Sequence, residues 1–328
     1  MNTRVFNFDN GKFWEEKTIL PAIQHGQFLV KTLKSLVSAG TETTCNRGNP
    51  GWPKGTHGYS NAGVVIEVGS EVMNYKVGDR VASLQVHTDY YIGNDSDTIT
   101  CHKIPDGVSN AQAVFMTLGG IALHIVERAK ISLGVPVVVV GQGTVGLLTQ
   151  QLARISGAGW IVAVDTNASR HETAKQFGAN ETIRPSSREL ELVLSKYGLP
   201  AARAPIFIEV SGAAEACKWI LDAAHLRSRV VLAGTYLKEI SFNPFVFIEK
   251  ELEVVGAHIP KCPDTTGLYY PYSKNFNYPF ILGTIRSGKL KVDGISDGFI
   301  KPDGLIEFYR QAVDGTNKIK QPIIDWEE

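Results

Sequence analysis

The sequence predicts an α/β protein in which an antiparallel, barrel-like β-domain is followed by a doubly wound parallel sheet. Up to about residue 115 the chain alternates short apolar and polar segments with turns, as in "AGVVIEVGSEV" and "VGDRVASLQV". Such spacing is typical of antiparallel strands that close on themselves. From "NAQAVFMTLGGIALHIVERAK" onward, segments of helical period alternate with apolar strands such as "VPVVVV", which predicts βαβ units and a sheet covered on both faces.

The length and the change of pattern along the chain predict its division into domains. A chain of 328 residues is long enough for two domains. We predict a β-rich domain over residues 1–115, a domain of βαβ units over residues 116–260 and a further C-terminal stretch over residues 261–328.

The composition favours a soluble, cytoplasmic protein that acts on a small molecule. The 33 basic residues balance the 33 acidic ones, so no broad charge favours nucleic acid or an anionic membrane as a partner. No window approaches the roughly 18 consecutive apolar residues of a membrane-spanning helix. The cysteines are far apart and form no C-x-x-C pair, which argues against a disulfide framework or a zinc knuckle. They are Cys45, Cys101, Cys217 and Cys262.

A glycine motif directly after the strand "VVVV" predicts a dinucleotide site. The stretch "GQGTVG" places Gly141, Gly143 and Gly146 at G-x-G-x-x-G spacing. The first glycine permits a tight turn, the second admits a pyrophosphate, and the third lets the helix pack closely on the strand. An ordinary turn of an α/β sheet could carry the same glycines. Asp165, which ends the next strand "WIVAVD", favours the dinucleotide site because the motif places a ribose-binding acid there.

The residues after the second strand also bear on the choice of cofactor. The carboxylate of Asp165 accepts hydrogen bonds from a free 2'-hydroxyl and repels a 2'-phosphate, so we expect NAD(H) in preference to NADP(H). Arg170 could soften this preference by reaching a phosphate. A solvated position, or one at the edge of the adenine, is the more common role for such an arginine. NADP(H) therefore stays possible.

Several stretches together resemble the medium-chain dehydrogenase/reductase superfamily, which is alcohol dehydrogenase-like. They cover nearly the whole chain in the family's order: "SAGTE", "GYSNAGVVIEVGSEV", "YKVGDRVA", "KIPDGVS", "VVVVGQGTVG", "AVDTNASRHETAKQFGA", "EVSGAAEA" and "RVVLAGTY". The stretches "LVSAGTE" and "GYSNAGVV" resemble a zinc-less branch that includes bacteriochlorophyllide-type and sugar or cyclitol dehydrogenases. The resemblance implies that residues 1–115 form a GroES-like catalytic β-barrel domain, that residues 116–260 form a Rossmann dinucleotide-binding domain, and that residues 261–328 return to the catalytic domain. It also implies a homodimer that pairs through "LEVVGAHI".

The resemblance also implies the set of residues that binds the cofactor. The glycine turn and the start of its helix belong to this set, together with the acid after the second strand and residues of the later family stretches. The predicted cofactor-binding residues are Gly141, Gly143, Thr144, Val145, Gly146, Asp165, Arg170, Ser211 and Gly234.

The catalytic zinc ligands of the superfamily have no counterpart in this sequence. Zinc alcohol dehydrogenases carry C-G-T-D and G-H-E-x-x-G where this chain has Ala39, Tyr59 and Ser60. An alanine cannot replace a thiolate, and a neutral phenol is a poor ligand for zinc. The four-cysteine structural zinc lobe is missing from the sequence as well, so we expect neither zinc. A rival metal site in the same domain is disfavoured because its histidines and cysteine are scattered. Its candidate ligands are His57, His87, Cys101 and His102.

Without zinc, hydride transfer still needs a hydrogen-bond donor at the developing oxyanion and a route for the proton. Tyr59 occupies the histidine position, so its phenol could act as the acid, or the ring could instead pack over the nicotinamide. Thr41 matches the hydroxyl that relays protons in zinc enzymes. Glu42 follows it and could act directly or form a structural salt bridge.

Four residues are candidates for contact with the substrate. Ser60 adjoins Tyr59, while His87 and Tyr90 lie in the segment that borders the substrate cleft in the family. Trp52 in "NPGWPKG" is a loop aromatic that could cover a ring-shaped substrate. Packing is the alternative role for each. His124, on the helix that leads into the second domain, fits a buried histidine better than a site residue.

The leading hypothesis is a zinc-independent, NAD(H)-dependent enzyme that interconverts a hydroxyl and a ketone on a small polar substrate such as a sugar or cyclitol. Its substrate class rests on the family branch alone. An NAD(P)H-dependent reductase of enone or quinone double bonds is the enzymatic alternative. A nucleotide-binding protein that has lost catalysis is the non-enzymatic one.

Overall fold

The structure is a computed structural model that describes residues 1–46, 54–197, 205–267 and 272–327. It forms two compact units. The first unit contains Met1–Leu118, Lys274–Gly288 and Val292–Glu328, and the second contains Gly119–Ser273 and Lys289–Lys291. The C-terminal stretch of the chain thus belongs mainly to the same unit as the N-terminal stretch.

Strands and helices alternate in the order that the sequence pattern predicts. The strands are β1 (Asn2–Asp9), β2 (Lys12–Ile19), β3 (Gln27–Leu36), β4 (Lys54–Thr56), β5 (Asn61–Val68), β6 (Arg80–Ser83), β7 (Tyr90–Asn94), β8 (Cys101–Lys103), β9 (Pro136–Val140), β10 (Trp160–Val164), β11 (Glu181–Ile183), β12 (Ile206–Glu209), β13 (Arg229–Leu232), β14 (Glu253–Gly256), β15 (Gly298–Ile300) and β16 (Pro322–Asp325). The helices are α1 (Ala39–Asn46), α2 (Asn110–Ala113), α3 (Met116–Ala129), α4 (Thr144–Ile155), α5 (Ser169–Gln176), α6 (Ser187–Lys196), α7 (Ala214–Ala223), α8 (Phe245–Glu249), α9 (Lys274–Arg286) and α10 (Leu305–Asp314). Short 3-10 turns occur at Ile259–Lys261 and Pro302–Gly304.

Antiparallel pairing dominates the first unit. Its larger sheet has the order β15-β16-β3-β5-β6-β8, with β7 also paired to β3, and a smaller sheet has the order β2-β1-β4. Only β15 and β16 run parallel in these two sheets as far as they are described. Alternate residues of the strands face a common core because side chains alternate across a strand. This core contains Phe28, Val30, Val65, Val81 and Tyr91.

The C-terminal helix α10 completes the core beneath α1. Its apolar face carries Leu305, Phe308 and Tyr309, which are buried together with Phe6 and Val37. The spacing of three and four residues places these side chains on one face of the helix. The helix ends at Gly315, whose φ of 74° is the left-handed conformation that glycine adopts readily. The C-terminal part of the chain thus supplies side chains that pack beneath α1, the helix that carries Thr41.

The second unit is a doubly wound parallel sheet. The order β11-β10-β9-β12-β13-β14 is that of a dinucleotide-binding fold, with all neighbours parallel. The valines of β9 are buried on both faces, as expected when helices cover the sheet on both sides. The direction of the chain across the sheet reverses between β9 and β12, where such folds bind their ligands. The predicted fold class is confirmed.

The described part of the chain contains no helix with the length and apolar character needed to span a bilayer. Its longest helices, α3 and α9, have 14 and 13 residues. A membrane-spanning helix needs about 20 apolar residues.

Candidate active site

Three hydroxyl groups converge in the first unit around Tyr59. This half-buried residue precedes β5, and its phenol O–H lies in hydrogen-bond contact with the Ser38 hydroxyl. The Thr41 hydroxyl is 3.2 Å from the same phenol oxygen. Ser38 directly precedes α1, and Thr41 lies in the first turn of that helix. The structure thus brings together Tyr59 and Thr41, which the sequence named separately as catalytic candidates. It adds Ser38, which belongs to the quoted stretch "SAGTE" but was not predicted as a site residue.

The positions of the zinc ligands in relatives do not fit a zinc ion here. Ala39 begins α1 and offers only a methyl group, while the neighbouring Ser38 hydroxyl contacts the phenol of Tyr59. Ser60 is 1% exposed, and its hydroxyl has no hydrogen-bond partner among the described residues. An alanine, a phenol and an alcohol lack the thiolate, imidazole and carboxylate groups that zinc binds in proteins.

Glu42 anchors α1 through a network of donors. The side chain is buried at 2% exposure, and its Oε1 accepts the Ser38 backbone N–H at 2.8 Å. Its Oε2 accepts the Tyr309 O–H at 2.5 Å and lies 3.2 Å from His87 Nε2. Burial by itself would raise the pKa of Glu42, but the neighbouring imidazoles and hydrogen bonds lower the pKa to about 2. These contacts hold the carboxylate ionised beneath Thr41, in the manner of a positioning group.

The structure gives His87 partners different from the predicted substrate. The ring is fully buried, with Nδ1 2.9 Å from the Ser35 hydroxyl and Nε2 beside Glu42. Both nitrogens are therefore engaged by the protein itself. The neighbouring His57 stacks between Phe8 and Tyr309, and its burial lowers the pKa of the imidazole to about 4. His87 is thus held by protein groups, as in the packing role that the sequence left open for it, and His57 is packed into the core as well.

Of the two remaining substrate-contact candidates, the structure describes Tyr90, which lies at a different place from the Tyr59 cluster. Tyr90 begins β7 and lines a separate cavity of about 410 Å³ with Lys31, Asp89 and Trp326. Neither Tyr59 nor Thr41 belongs to the described lining of that cavity. Trp52 lies outside the described residues.

The glycine turn of the second unit has the shape that a pyrophosphate requires. Gly141 has φ of +101°, and a Cβ there would lie 2.8 Å from the Ser211 backbone nitrogen. A Cβ on Gly146 would lie 1.9 Å from the Gly141 carbonyl oxygen. Gly143 caps α4, and a Cβ on it would meet nothing within 4 Å. Open space thus adjoins the N-terminus of the helix, where backbone N–H groups attract an anion.

The remaining residues of this turn begin α4. Thr144 is its first helical residue and Val145 its second, so their backbone N–H groups are among those without a helical acceptor. Thr144 is 9% exposed and Val145 is half-buried. Both lie where the sequence predicted phosphate contacts.

Asp165 links the end of β10 to the glycine turn. Its Oδ2 accepts the Gln142 backbone N–H at 2.8 Å, and its Oδ1 accepts the Asn167 backbone N–H at 2.8 Å. The Arg170 guanidinium lies 3.2 Å from Oδ2 while remaining half-exposed. The acid and the arginine that the sequence singled out therefore form a pair next to the predicted cofactor site.

Glu209 shapes the loop after β12 and was missed by the sequence analysis. Its buried carboxylate accepts hydrogen bonds from the Ser211 and Gly212 backbone N–H groups at 2.7 and 3.1 Å and from the Tyr236 hydroxyl. A Cβ on Gly234 would lie 2.5 Å from its Oε2, so only glycine fits there. The predicted residues Ser211 and Gly234 thus belong to one loop arrangement. The quoted stretch "EVSGAAEA" contains this glutamate, which was the available signal.

A cavity of about 790 Å³ opens at the carboxyl ends of β13 and β14. Gly234 and Thr235 line it on one side, and Ala257 and His258 line it on another. Ligands of doubly wound sheets bind outside the carboxyl ends of the strands. The predicted Gly234 therefore lies where a ligand of this unit would be expected.

Comparison with known proteins identifies the family. One family model, described as "Alcohol dehydrogenase GroES-like domain", matches residues 25–137, and another, described as "Zinc-binding dehydrogenase", matches residues 144–269. The chain belongs to the medium-chain dehydrogenase/reductase superfamily. The predicted resemblance to this alcohol dehydrogenase-like superfamily is confirmed.

Individual members of the superfamily are similar along most of this chain. A protein named "Probable D-xylulose reductase A" from Aspergillus fumigatus is 28% identical over 275 residues, which are 74% of this chain and 73% of that protein. The crystal structure of 2R,3R-butanediol dehydrogenase from Bacillus subtilis has a TM-score of 0.79 at 20% identity and covers 98% of this chain and 99% of its own. Galactitol-1-phosphate dehydrogenase from Escherichia coli has a TM-score of 0.80 at 18% identity, with the same coverage. The two structures support the fold.

Proposed function

We propose that this member of the superfamily is an NAD(H)-dependent oxidoreductase that interconverts a hydroxyl and a ketone without catalytic zinc. The observation that carries this proposal is the hydroxyl cluster of Tyr59, Ser38 and Thr41, in which Tyr59 stands at a position that the family resemblance assigns to a zinc ligand. A phenol that hydrogen-bonds to two alcohols can donate a proton to an oxygen that gains negative charge.

The residues of this cluster have distinct roles in the proposed reduction. Bound NADH would supply the hydride. Tyr59 donates its phenol proton to the substrate oxygen, which gains negative charge as the hydride arrives. The Ser38 and Thr41 hydroxyls hold the phenol in place and relay a proton from solvent back to it. Glu42 supports them by fixing the Ser38 backbone and the first turn of α1.

The second unit supports NAD(H) as the cofactor. Gly141, Gly143 and Gly146 leave room for a pyrophosphate at the start of α4. Asp165 ends β10, where a carboxylate accepts hydrogen bonds from ribose hydroxyls. Arg170 already pairs with Asp165, so it partly offsets the carboxylate charge that repels a 2'-phosphate. We therefore expect NADH to bind more tightly than NADPH, with NADPH still accepted weakly.

The names of similar proteins support a polar substrate with several hydroxyl groups. They specify a ketose, a diol and a phosphorylated polyol. Interconversion of a hydroxyl and a ketone is the reaction class common to these substrates. We propose a small sugar- or polyol-like ketone as the substrate of this chain.

We further propose a homodimer that forms through β14. This strand lies at the end of the parallel sheet in the described chain, and Val254 on it is 38% exposed. An open strand edge can pair with a second copy of the same strand. Size-exclusion chromatography with light scattering should give twice the monomer mass, and a monomer mass would contradict the pairing.

Turnover with defined cofactors and substrates tests the proposed activity. Purified protein with measured metal content is mixed with NADH or NADPH and with panels of ketoses, cyclitol ketones and enones. We expect oxidation of NADH by a ketone, and loss of most turnover in Tyr59→Phe while NADH binding persists. Turnover confined to enones with NADPH would indicate a double-bond reductase. NADH binding without turnover on any panel member would indicate a non-catalytic protein.

A further inference from the structure

A second group of chemically reactive side chains lies in the second unit. His124 and Glu127 occupy α3 one turn apart, and Cys262 follows the 3-10 turn Ile259–Lys261. One nitrogen, oxygen or sulfur atom from each of the three lies within 4.8 Å of the others. His124 is 4% exposed and Cys262 is 2% exposed. Three different metal-ligating groups thus meet in a buried place.

The carboxylate of Glu127 lacks the donors that a buried acid normally has. Its side chain is 3% exposed, and both oxygens are without a hydrogen-bond partner among the described residues. The His124 Nδ1 atom is 3.4 Å from Oε2, which is within ion-pair distance but outside hydrogen-bond geometry. A buried carboxylate without donors loses its hydration and receives little in return.

Two other buried carboxylates in the described chain show what is missing. Glu42 accepts hydrogen bonds from a backbone N–H and a tyrosine hydroxyl, and it adjoins an imidazole. Glu209 accepts hydrogen bonds from two backbone N–H groups and two hydroxyls. A positive charge placed between the Glu127 oxygens and its neighbours would give Glu127 comparable stabilisation. We propose that His124, Glu127 and Cys262 bind a zinc ion.

The donor set selects the type of metal. Thiolate and imidazole ligands favour zinc over magnesium or calcium, which prefer oxygen ligands. Ligand atoms of a tetrahedral zinc site lie about 3.5 Å apart. The observed separations of up to 4.8 Å therefore require a small inward movement of the side chains. Paired histidine and glutamate ligands three residues apart on one helix are also used in metal-binding helical bundles.

The site has room for a fourth ligand. His124 also lines the cavity of about 790 Å³ at the ends of β13 and β14. Three protein ligands leave the fourth tetrahedral position for water or another small group. The metal ties α3 to the segment that follows β14, so binding stabilises the second unit. This proposal does not rest on the proposed activity, because none of its three ligands belongs to the Tyr59 cluster.

Cobalt serves as a spectroscopic substitute for zinc in the test. Protein stripped with a chelator is titrated with Co²⁺ alone. We expect a 1:1 endpoint, a thiolate-to-cobalt charge-transfer band in the near ultraviolet, and visible bands of tetrahedral intensity. Zinc should displace the cobalt and abolish these bands. A wild-type protein that gives no such bands, or that binds no zinc with 1:1 stoichiometry, overturns the proposal without the need for a variant.

Matched variants then locate the metal. Cys262→Ser should lose the charge-transfer band, whereas Cys217→Ser, a buried thiol of the same unit outside the cluster, should keep it. Glu127→Gln should weaken zinc binding by at least about 100-fold, which is more than is lost when a residue that only orients a ligand is removed. A band that persists in Cys262→Ser, or zinc affinity that is unchanged in Glu127→Gln, places the metal elsewhere and overturns the proposal. Circular dichroism of each variant confirms that the comparison is made on folded protein.

Discussion

Two buried carboxylates, one in each unit, differ in what surrounds them. Glu42 in the first unit accepts hydrogen bonds from Ser38 and Tyr309 and lies beside His87. Glu127 in the second unit has an imidazole and a thiol close by but no hydrogen-bond donor among the described residues. The first carboxylate is stabilised by the protein alone, whereas the second has the surroundings of a metal ligand. The difference indicates which part of the molecule needs an ion.

The same contrast underlies the proposed function. Around Tyr59, the chain has hydroxyl groups that hydrogen-bond to one another. In the second unit, a thiol, an imidazole and a carboxylate meet at Cys262, His124 and Glu127, which the family motifs did not predict. We therefore assign the chemistry and the metal to different units.

Replacement of Tyr59 by phenylalanine should have the largest effect on activity. The variant keeps the ring but removes the phenol that we assign as the proton donor, so kcat should fall by about 10²–10⁴. Steady-state kinetics with NADH measures the loss. Tyr197→Phe is the control. It removes a phenol of the second unit that hydrogen-bonds to Glu181, so it should retain full activity. A Tyr59→Phe variant that stays active and loses its activity on chelation would indicate a metal at the reaction centre. That result would contradict the assignment of the chemistry to hydroxyl groups.

Glutamine substitutions should affect the two carboxylates in opposite ways in metal-free protein. Glu42→Gln leaves buried donors without their charged acceptor, so the free energy of unfolding should fall by about 3–5 kcal/mol. Glu127→Gln replaces a buried charge that has no donor, so stability should change little or rise by about 1 kcal/mol. Urea unfolding in the presence of a chelator measures both. An equal loss in the two variants would show that His124 alone compensates the charge of Glu127.

The stability supplied by Glu42 should disappear in acid. Burial raises the pKa of Glu42, but the neighbouring imidazoles and hydrogen bonds outweigh it and set the folded pKa near 2, below the ordinary 4.5. The unfolded state therefore binds the proton first, and about 3 kcal/mol present above pH 5 is lost as the pH falls toward 2. His57, with a pKa lowered to about 4 chiefly by burial, acts in the same direction between pH 6.5 and 4.

Urea unfolding of the wild-type protein and Glu42→Gln at several pH values isolates this contribution. The difference between the two proteins should shrink from pH 5 to pH 3, because only the wild type has a carboxylate to protonate at that position. A difference that stays constant over this range would mean that Glu42 is not ionised in the folded protein.

Replacement of Asp165, another buried carboxylate, should have a smaller effect, on cofactor affinity. Asp165 has donors from Gln142 and Asn167, as Glu42 has, but we also assign it to the cofactor. Asp165→Ser should weaken NADH binding by about 10–100-fold, the value of one or two hydrogen bonds to a charged group. Binding of NADPH should improve relative to NADH. Fluorescence titration measures both affinities, and an unchanged preference would place the ribose away from this residue.

The sequence predicted those features that local patterns specify. The glycine spacing at Gly141, Gly143 and Gly146 and the acid Asp165 lie within one βαβ unit, so their arrangement could be inferred from order and distance along the chain. Tyr59 and Thr41 could each be named as candidates because the family motifs place them at functional positions. The fold class followed from the change of hydrophobic period near residue 115.

Contacts between residues far apart in sequence could not be predicted in this way. Tyr309 donates to Glu42 across 267 residues, and no pattern near either residue indicates the other. Cys262 reaches His124 and Glu127 only because β14 ends beside α3. The sequence left two roles open for His87, substrate contact and packing, because its contacts with Ser35 and Glu42 also join residues far apart in the chain.

Anomalous scattering at the zinc edge, from crystals grown with one molar equivalent of zinc, shows which unit binds the metal. We propose that the first unit carries out its chemistry with hydroxyl groups and that the second unit holds the zinc. We predict one anomalous peak among His124, Glu127 and Cys262 and none beside Tyr59 and Ser38. A peak at the Tyr59 cluster, or the absence of a peak among His124, Glu127 and Cys262, would contradict it.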